Sequence, residues 1–424
     1  MSPLALALAA LRDRPFGTAL NVLLLALGVA TLTALLLLGR QVEDRLGAGA
    51  EGIDFVVGAK GSPLQLILSS VYHIDSPTGN VPRAEVEALR ANRAVAEVIP
   101  LALGDSYRGV RIVGTEPSYL EHYGAVLAEG RVWTAPSEVV LGARAAAATG
   151  LSLGDTLVSA HGLGEDGMTH DEAPLVVVGR LAPGASVADG LVLTAVETVW
   201  DVHGLGEVVG TPAMPPPPGA PAEAVGMPAM PLPGAPAAAP SDGRDYTAAL
   251  VKVASPIAVA LLPRQVDATT SMQAAVPAQQ IQRLLRLLGV GVATLRLFGL
   301  ALLAASLLSV FAALTAALQA RRTDLAVFRA LGAHRRTLLG LVLLEGVLLT
   351  LAGLAVGLAL GHVAAEALGR LAPGDGATVP LTGWTWVPAE WGLAAAVLGV
   401  GVLAALVPAL GAYRTPVADT LARA

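Results

Sequence analysis

The residues best suited to hold a metal ion lie in one stretch, His161–Glu172, which reads HGLGEDGMTHDE. It gathers His161, Glu165, Asp166, His170, Asp171 and Glu172, with His203 further on. Imidazole nitrogens combined with carboxylate oxygens form a donor set suited to zinc. The spacing matches no established zinc motif, and the glycines make the segment a hairpin tip, so a solvated loop is the competing reading. A second stretch, Thr211–Ser241, carries Met214, Met227 and Met230, three of the six methionines, among many prolines. Thioether sulfur suits a soft metal, but a polyproline surface loop with incidental methionines accounts for the same residues.

Other chemistry is missing from the sequence. There are no cysteines, which excludes disulfides, thiolate metal sites and cysteine nucleophiles. The phosphate-binding pattern G-x-x-x-x-G-K-[ST] is absent, as are G-x-S-x-G, H-E-x-x-H and a dinucleotide fingerprint. The sequence therefore offers no catalytic residues and no cofactor-binding residues of its own. Two ionisable residues, Glu345 and His362, fall inside an apolar run. Such groups suggest function by default, yet a proton path needs a chain of them and the other apolar runs provide none. A structural role is expected for both.

These groups must be positioned by the elements around them, and composition identifies those elements. Apolar residues make up 54% of the chain and charged residues 14%, against about 25% charged in soluble proteins. Four runs are nearly free of charge: Phe16–Gly39, Leu297–Ala320, Thr337–Ala365 and Trp391–Leu410. Each matches the roughly 20 residues that cross a bilayer. The first exceeds the 7–15 residues of a signal-peptide core, and it reads as a retained anchor. Arg321, Arg322, Arg329, Arg335 and Arg336 crowd the short connection between the second and third runs, opposed by Asp324 alone. Arg12 and Arg14 precede the first run, and Arg414 and Arg423 follow the last. The positive-inside rule then places both termini and residues 321–336 in the cytoplasm.

The expected fold is a membrane protein with four transmembrane helices and an α+β extracytoplasmic domain inserted between the first and second. Residues 1–15 are a cytoplasmic segment, 16–39 the first span, and 40–280 the extracytoplasmic domain with a Pro-rich loop at 211–241. Residues 281–320 form a stalk helix and the second span, and 321–336 a cytoplasmic loop. The third span is 337–365, an outer loop 366–390, the fourth span 391–410, and a cytoplasmic tail 411–424. Between Arg40 and Arg283 there are 26 acidic and 15 basic side chains, a balance that argues against nucleic acid as a partner. Pro82–Asn92 has helical periodicity with Val86 and Leu89 on one face. Short Val-rich runs bounded by turn residues read as strands: 108–114, 138–141, 155–159, 175–179, 190–193 and 248–253. They suggest a small mixed domain with an inserted β-rich subdomain. Ile281, Leu284, Leu285 and Leu288 share one face of a helix that runs without a breaker into the second span.

Arg321–Arg336 reads RRTDLAVFRALGAHRR and resembles the cytoplasmic motif of FtsX-like permeases of the MacB and LolC type. That pattern is roughly R-x-x-E-[IL]-x-[IVL]-x-[RK]-A-[LI]-G-A. Arg321 or Arg322, Asp324 in place of Glu, Leu325, Val327, Arg329, Ala330, Leu331, Gly332 and Ala333 occupy it. The stretches LALAALRDRPFGTALNVLLLALGVA, EGRVWTAPSEVVLGARAAAATGLSLGDTLVSA and PALGAYRTPVADTLA are similar to other parts of the family, in the family's order.

The resemblance implies a permease subunit in a bacterial inner (cytoplasmic) membrane that pairs with a separate ABC ATPase, which would carry the ATP and magnesium. Coupling would fall to Arg322, Asp324, Leu325, Phe328, Arg329, Ala330, Leu331, Gly332 and Ala333, with Leu325, Phe328 and Leu331 as apolar anchors. It further implies mechanotransmission to the outer domain, contact with membrane lipid, a homodimer or paired permease, and a periplasmic partner. A plain basic turn enforcing topology would explain the arginines but not the FRALGA order. A non-transporting scaffold that activates an extracytoplasmic enzyme, and metal-linked transport, are the alternatives.

Overall fold

The computed structural model describes residues 3–162, 170, 172–184, 186–203, 243–320, 334–371 and 382–414. Two helices open the chain, α1 (Pro3–Arg12) and α2 (Pro15–Gly49). A domain of strands and short helices follows. It begins with β1 (Phe55–Ala59), α3 (Pro63–Ser70), α4 (Arg83–Arg90), β2 (Val95–Tyr107), β3 (Val110–Thr115) and α5 (Ser118–His122). Next come β4 (Leu127–Gly130), β5 (Glu138–Leu141), α6 (Ala143–Thr149), β6 (Thr156–Leu157), β7 (Ala160–His161) and β8 (Leu175–Leu181). It closes with β9 (Val192–Ala195), α7 (Val196–Val202), β10 (Ala248–Val253), α8 (Pro256–Thr269) and β11 (Met272–Ala275). Three long helices end the described chain: α9 (Pro277–Ala320), α10 (Arg335–Leu371) and α11 (Ala389–Arg414).

By contacts the chain divides into two units. One holds residues 1–43, 286–372 and 380–424, and the other holds 44–285 with 373–379. In the second unit one sheet runs β11-β1-β10-β2-β3-β9-β5-β8-β4, with β6 on β8 and β7 on β2. The expected mixed domain with an inserted β-rich subdomain is thus one continuous sheet, and β2 is the reason. Its first half pairs with β10, and its second half pairs with β3 and β7. Sequence reading passes over this strand because Pro100 and Gly104 interrupt it, and proline argues against a central strand. Pro100 is tolerated because its carbonyl faces away from β10, accepting from Thr115 Oγ1 at 2.9 Å.

Both faces of this sheet are covered, as the alternation of side chains demands. Val56, Ile99, Leu101, Leu103, Ala248 and Leu250 join one core with Leu66, Ile67 and Tyr119 of α3 and α5. Their neighbours Phe55, Val57, Val98, Ala102, Ala249 and Val251 join another with α4, α7 and α8. Val86 and Leu89, the apolar face of α4, are buried there. A third core, with Val139, Leu141, Val177 and Val192, lies under α6. That helix ends at Gly150, whose φ of 72° is open to glycine without strain.

Among the described residues, four helices are long and apolar enough to cross a membrane: Pro15–Gly49, Gly289–Ala320, Arg336–Leu371 and Ala389–Leu410. Glycines set how closely they pack. Gly353, Gly357 and Gly361 recur every fourth residue on one face of α10 and lie against α2. A Cβ at Gly357 would sit 2.8 Å from the Ala26 carbonyl oxygen and 2.6 Å from Val29 Cβ; at Gly361 it would sit 3.0 Å from the Ala30 oxygen. Gly28 meets the Leu303 backbone of α9, and Gly401 of α11 meets Thr350. Gly357→Leu should therefore destabilise the bundle by roughly 1–3 kcal/mol or more, the range for overpacking. Gly399→Leu, at a glycine with open space around it, should change little. Thermal unfolding of the two variants in detergent compares them directly.

Candidate metal centre

Asp105 lies near the end of β2, beyond the point where the strand leaves β10. The pairing with β7 sets Asp105 opposite His161 and Ser106 opposite Ala160. Gly162 N–H donates to the Gly104 carbonyl at 2.8 Å and closes this short ladder. Directly opposed residues have Cβ atoms about 4.5–5.5 Å apart, so the carboxylate and imidazole meet on one face. His170 is held by its backbone N–H, which donates to the Ser159 carbonyl at 2.9 Å. His203 caps the C-terminus of α7; its Nδ1 donates to the Val199 carbonyl at 2.6 Å. A carbonyl only accepts, so Nδ1 carries a proton, and Nε2 is left facing Asp105.

Three imidazoles thus converge on one carboxylate. Asp105 Oδ1 is 3.4 Å from His161 Nδ1, 3.4 Å from His203 Nε2 and 4.0 Å from His170 Nε2. One ligand atom from each of the four residues lies within 4.8 Å of the others. The ring centroids stand 4.5, 4.9 and 5.1 Å apart, close to an equilateral triangle. Asp105 is only 3% exposed. Its Oδ1 and the Nε2 of His170 are buried without a hydrogen-bond partner, a situation that costs about 1–3 kcal/mol per group. The His203 pKa is raised, chiefly by the Asp105 carboxylate against the opposing effect of burial. That of His170 is lowered, chiefly by burial, with Asp105 opposing and the other two histidines adding to the fall. Such a donor set can hold a divalent transition metal.

Of the sequence candidates, the structure brings together His161, His170 and His203. Glu165, Asp166 and Asp171 lie outside the described residues, as does the methionine-bearing segment 211–241, and Glu172 is exposed. Asp105 was not among the candidates. It stands far back in the chain, in a strand that local pattern does not reveal, and only the β2–β7 pairing brings it to the histidines.

The intramembrane residues have plainer surroundings. Glu345 is buried in α10. His362 Nδ1 donates to the Gly383 carbonyl at 2.5 Å, and its Nε2 is 2.9 Å from Glu390 Oε2. Glu390 is fully buried, and its Oε1 accepts from Val387 N–H at 2.8 Å. The ring of His362 stacks on Trp386, with centroids 5.4 Å apart. Glu390 lies one residue before the apolar run read from the sequence, so its pairing with His362 was not anticipated.

The model of the MacB-like periplasmic core domain family matches residues 18–269, and that of the FtsX-like permease C-terminal family matches residues 296–417. The chain belongs to the FtsX-like, MacB-type permease family. Among solved structures, the periplasmic region of MacB from Actinobacillus actinomycetemcomitans is 13% identical, with a TM-score of 0.32, over 55% of this chain and 95% of that one. The extracellular domain of the ABC-type transporter YknZ from Gram-positive bacteria is 13% identical, with a TM-score of 0.29, over 52% of this chain and 98% of that one. No curated protein gives a significant match. The chain is thus a multi-pass transmembrane permease, with its α/β domain between the first and second membrane helices. Arg322, Asp324, Leu325, Phe328, Arg329, Ala330, Leu331, Gly332 and Ala333 fall within the FtsX-like match, and they lie outside the described residues.

In this MacB-type permease the His362–Glu390 pair should be structural. Glu390→Ala should cost up to about 3–5 kcal/mol, because it strands the largely buried His362 ring. Adding His362→Phe, which keeps the stack on Trp386, should recover part of the loss. Thermal unfolding of the single and double variants measures both.

Proposed function

We propose that this permease is the transmembrane subunit of an ABC transporter in a bacterial inner membrane. ATP and magnesium would be bound by a separate ATPase, and hydrolysis there would move the α/β domain to export or extract a substrate. The observation that carries the reading is the FtsX-like match over residues 296–417, which contains RRTDLAVFRALGAHRR. Leu325, Phe328 and Leu331 would insert into the ATPase as apolar anchors, and the flanking arginines would meet acidic groups around them. With those arginines on the cytoplasmic side, both termini are cytoplasmic and the α/β domain is outside.

The long helices suit mechanical coupling. At 1.5 Å per residue, the 44 residues of α9 span about 66 Å, roughly twice the thickness of the hydrocarbon layer. α9 is therefore long enough to carry a displacement well beyond the bilayer. Leu287, Val290, Leu297 and Phe298 of α9 are exposed, which supports a homodimer or paired permease and contact with lipid. Trp384, Trp386 and Trp391 are exposed around the start of α11, where interfacial aromatics anchor helices.

Purification of the tagged chain in mild detergent should recover an ATPase, and the double variant Phe328→Asp, Leu331→Asp should recover none while remaining folded. If the folded parent chain brings down no ATPase, the transporter reading fails, and a non-transporting scaffold that activates an extracytoplasmic enzyme takes its place.

A further inference from the structure

We propose that Asp105, His161, His170 and His203 bind one zinc ion, reversibly, and that the ion fastens β2, β7 and the C-terminal end of α7 together. The inference is independent of the ATPase reading, since all four residues lie in the α/β domain.

Geometry favours an ion over a set of hydrogen bonds. Two imidazole nitrogens stand 3.4 Å from Asp105 Oδ1 and the third at 4.0 Å, yet that oxygen takes part in no hydrogen bond. Hydrogen-bonded imidazole and carboxylate would approach to about 2.7–2.9 Å. Donors around a tetrahedral zinc, each about 2.0–2.1 Å from the metal, stand roughly 3.3–3.4 Å from one another. Two of the carboxylate–imidazole distances therefore already match a zinc shell, and the remaining donors, all within 4.8 Å of one another, would close by up to about 1.5 Å around the ion.

The kind of ion follows from the donors. Imidazole nitrogen suits zinc and copper, whereas calcium and magnesium take oxygen ligands. A square plane would set two of the three imidazoles across from each other. Instead the three centroid separations are nearly equal, at 4.5, 4.9 and 5.1 Å. A triangle of imidazoles with a carboxylate as the fourth donor is a tetrahedral arrangement, which favours zinc over copper(II).

His203 is set up in advance. A zinc-binding histidine usually donates its other ring N–H to a carbonyl or carboxylate, which fixes the tautomer and ring orientation. The Nδ1 bond to Val199 does this and directs Nε2 at the site. The His161 side chain is 45% exposed, whereas Asp105 is 3% exposed. Solvent therefore reaches the site from the His161 side, and the ion can exchange.

The test uses the full chain in detergent, purified with a tag free of histidine and stripped with a chelator. Titration with Zn²⁺ by calorimetry should give one equivalent per chain and raise the thermal unfolding midpoint, and added chelator should reverse both. Co²⁺ should produce the intense visible bands of a four-coordinate site. His203→Ala and His161→Ala should each weaken binding by more than about 100-fold, because even groups that merely orient a ligand are worth about 10–100-fold. His334→Ala, at an exposed residue just before α10, should bind as the parent does. His161 is half-exposed at the edge of a two-residue strand, so its variant decides the matter if His203→Ala fails to fold. The proposal is overturned if the folded parent binds no Zn²⁺, or if folded His161→Ala binds it as tightly as the parent.

Discussion

Lipid tails are as apolar as leucine, so packing an apolar helix face against another helix gains little over packing it against lipid. Helices in a bilayer cohere instead through close backbone approach and a few polar contacts. The first unit follows from that constraint. Gly353, Gly357 and Gly361 remove the side chains that would keep α10 away from α2. Closeness of this kind lets short polar groups meet: Ser309 Oγ donates to Asn21 Oδ1 at 2.7 Å, between α9 and α2. It also lets Gln41 exchange two hydrogen bonds with the backbone of Thr382, at 2.8 and 2.9 Å. Leucines serve on both sides: Leu25, Leu314 and Leu354 are buried between helices, while Leu308, Leu360 and Leu403 are exposed.

Water imposes the opposite rule on the inserted domain, where cohesion comes from removing apolar surface from solvent. A sheet with helices on both faces must place apolar residues at successive positions, and β1, β2 and β10 do so. β2 is the longest strand, and its pairings change along its length from β10 to β3 and β7. Past that change its outer end pairs only with the short β7 and the start of β3, and there the strand carries Asp105 and Ser106. The same strand that organises the core therefore delivers a carboxylate to a half-open edge.

The sequence was legible where one physical constraint acts on many consecutive residues. Four apolar runs are such a case, because a bilayer demands about 20 apolar residues together. The strands at Glu138–Leu141 and Ala248–Val253 are another, since each is Val- or Ala-rich and stands alone between turn residues. β2 was illegible because its features are those of a loop when read locally; its place in the sheet comes from partners at 110–115, 160–161 and 248–253. The candidate site divides in the same way. His161 and His170 could be found because they lie close in sequence. Asp105 could not, because nothing near it marks it as more than one acid in an acidic domain.

Its surroundings differ from those of three other buried charged groups among the described residues, Arg111, Asp189 and Glu390. Arg111, 5% exposed, donates from Nε to the His73 carbonyl and from a terminal nitrogen to the Asp75 carbonyl, at 3.2 and 2.8 Å. Asp189 accepts from Gly184 N–H with both oxygens, and Glu390 is bonded at both oxygens to Val387 and His362. In each of these the fold supplies hydrogen bonds in place of the lost water, as burial of charge requires. Asp105 is buried to the same degree, and its Oδ1 receives no hydrogen bond although three imidazoles stand around it. Unlike Arg111, Asp189 and Glu390, this carboxylate and its imidazoles are held just apart. A cation among them would complete that set, drawing each lone pair inward and replacing three weak contacts with four short ones.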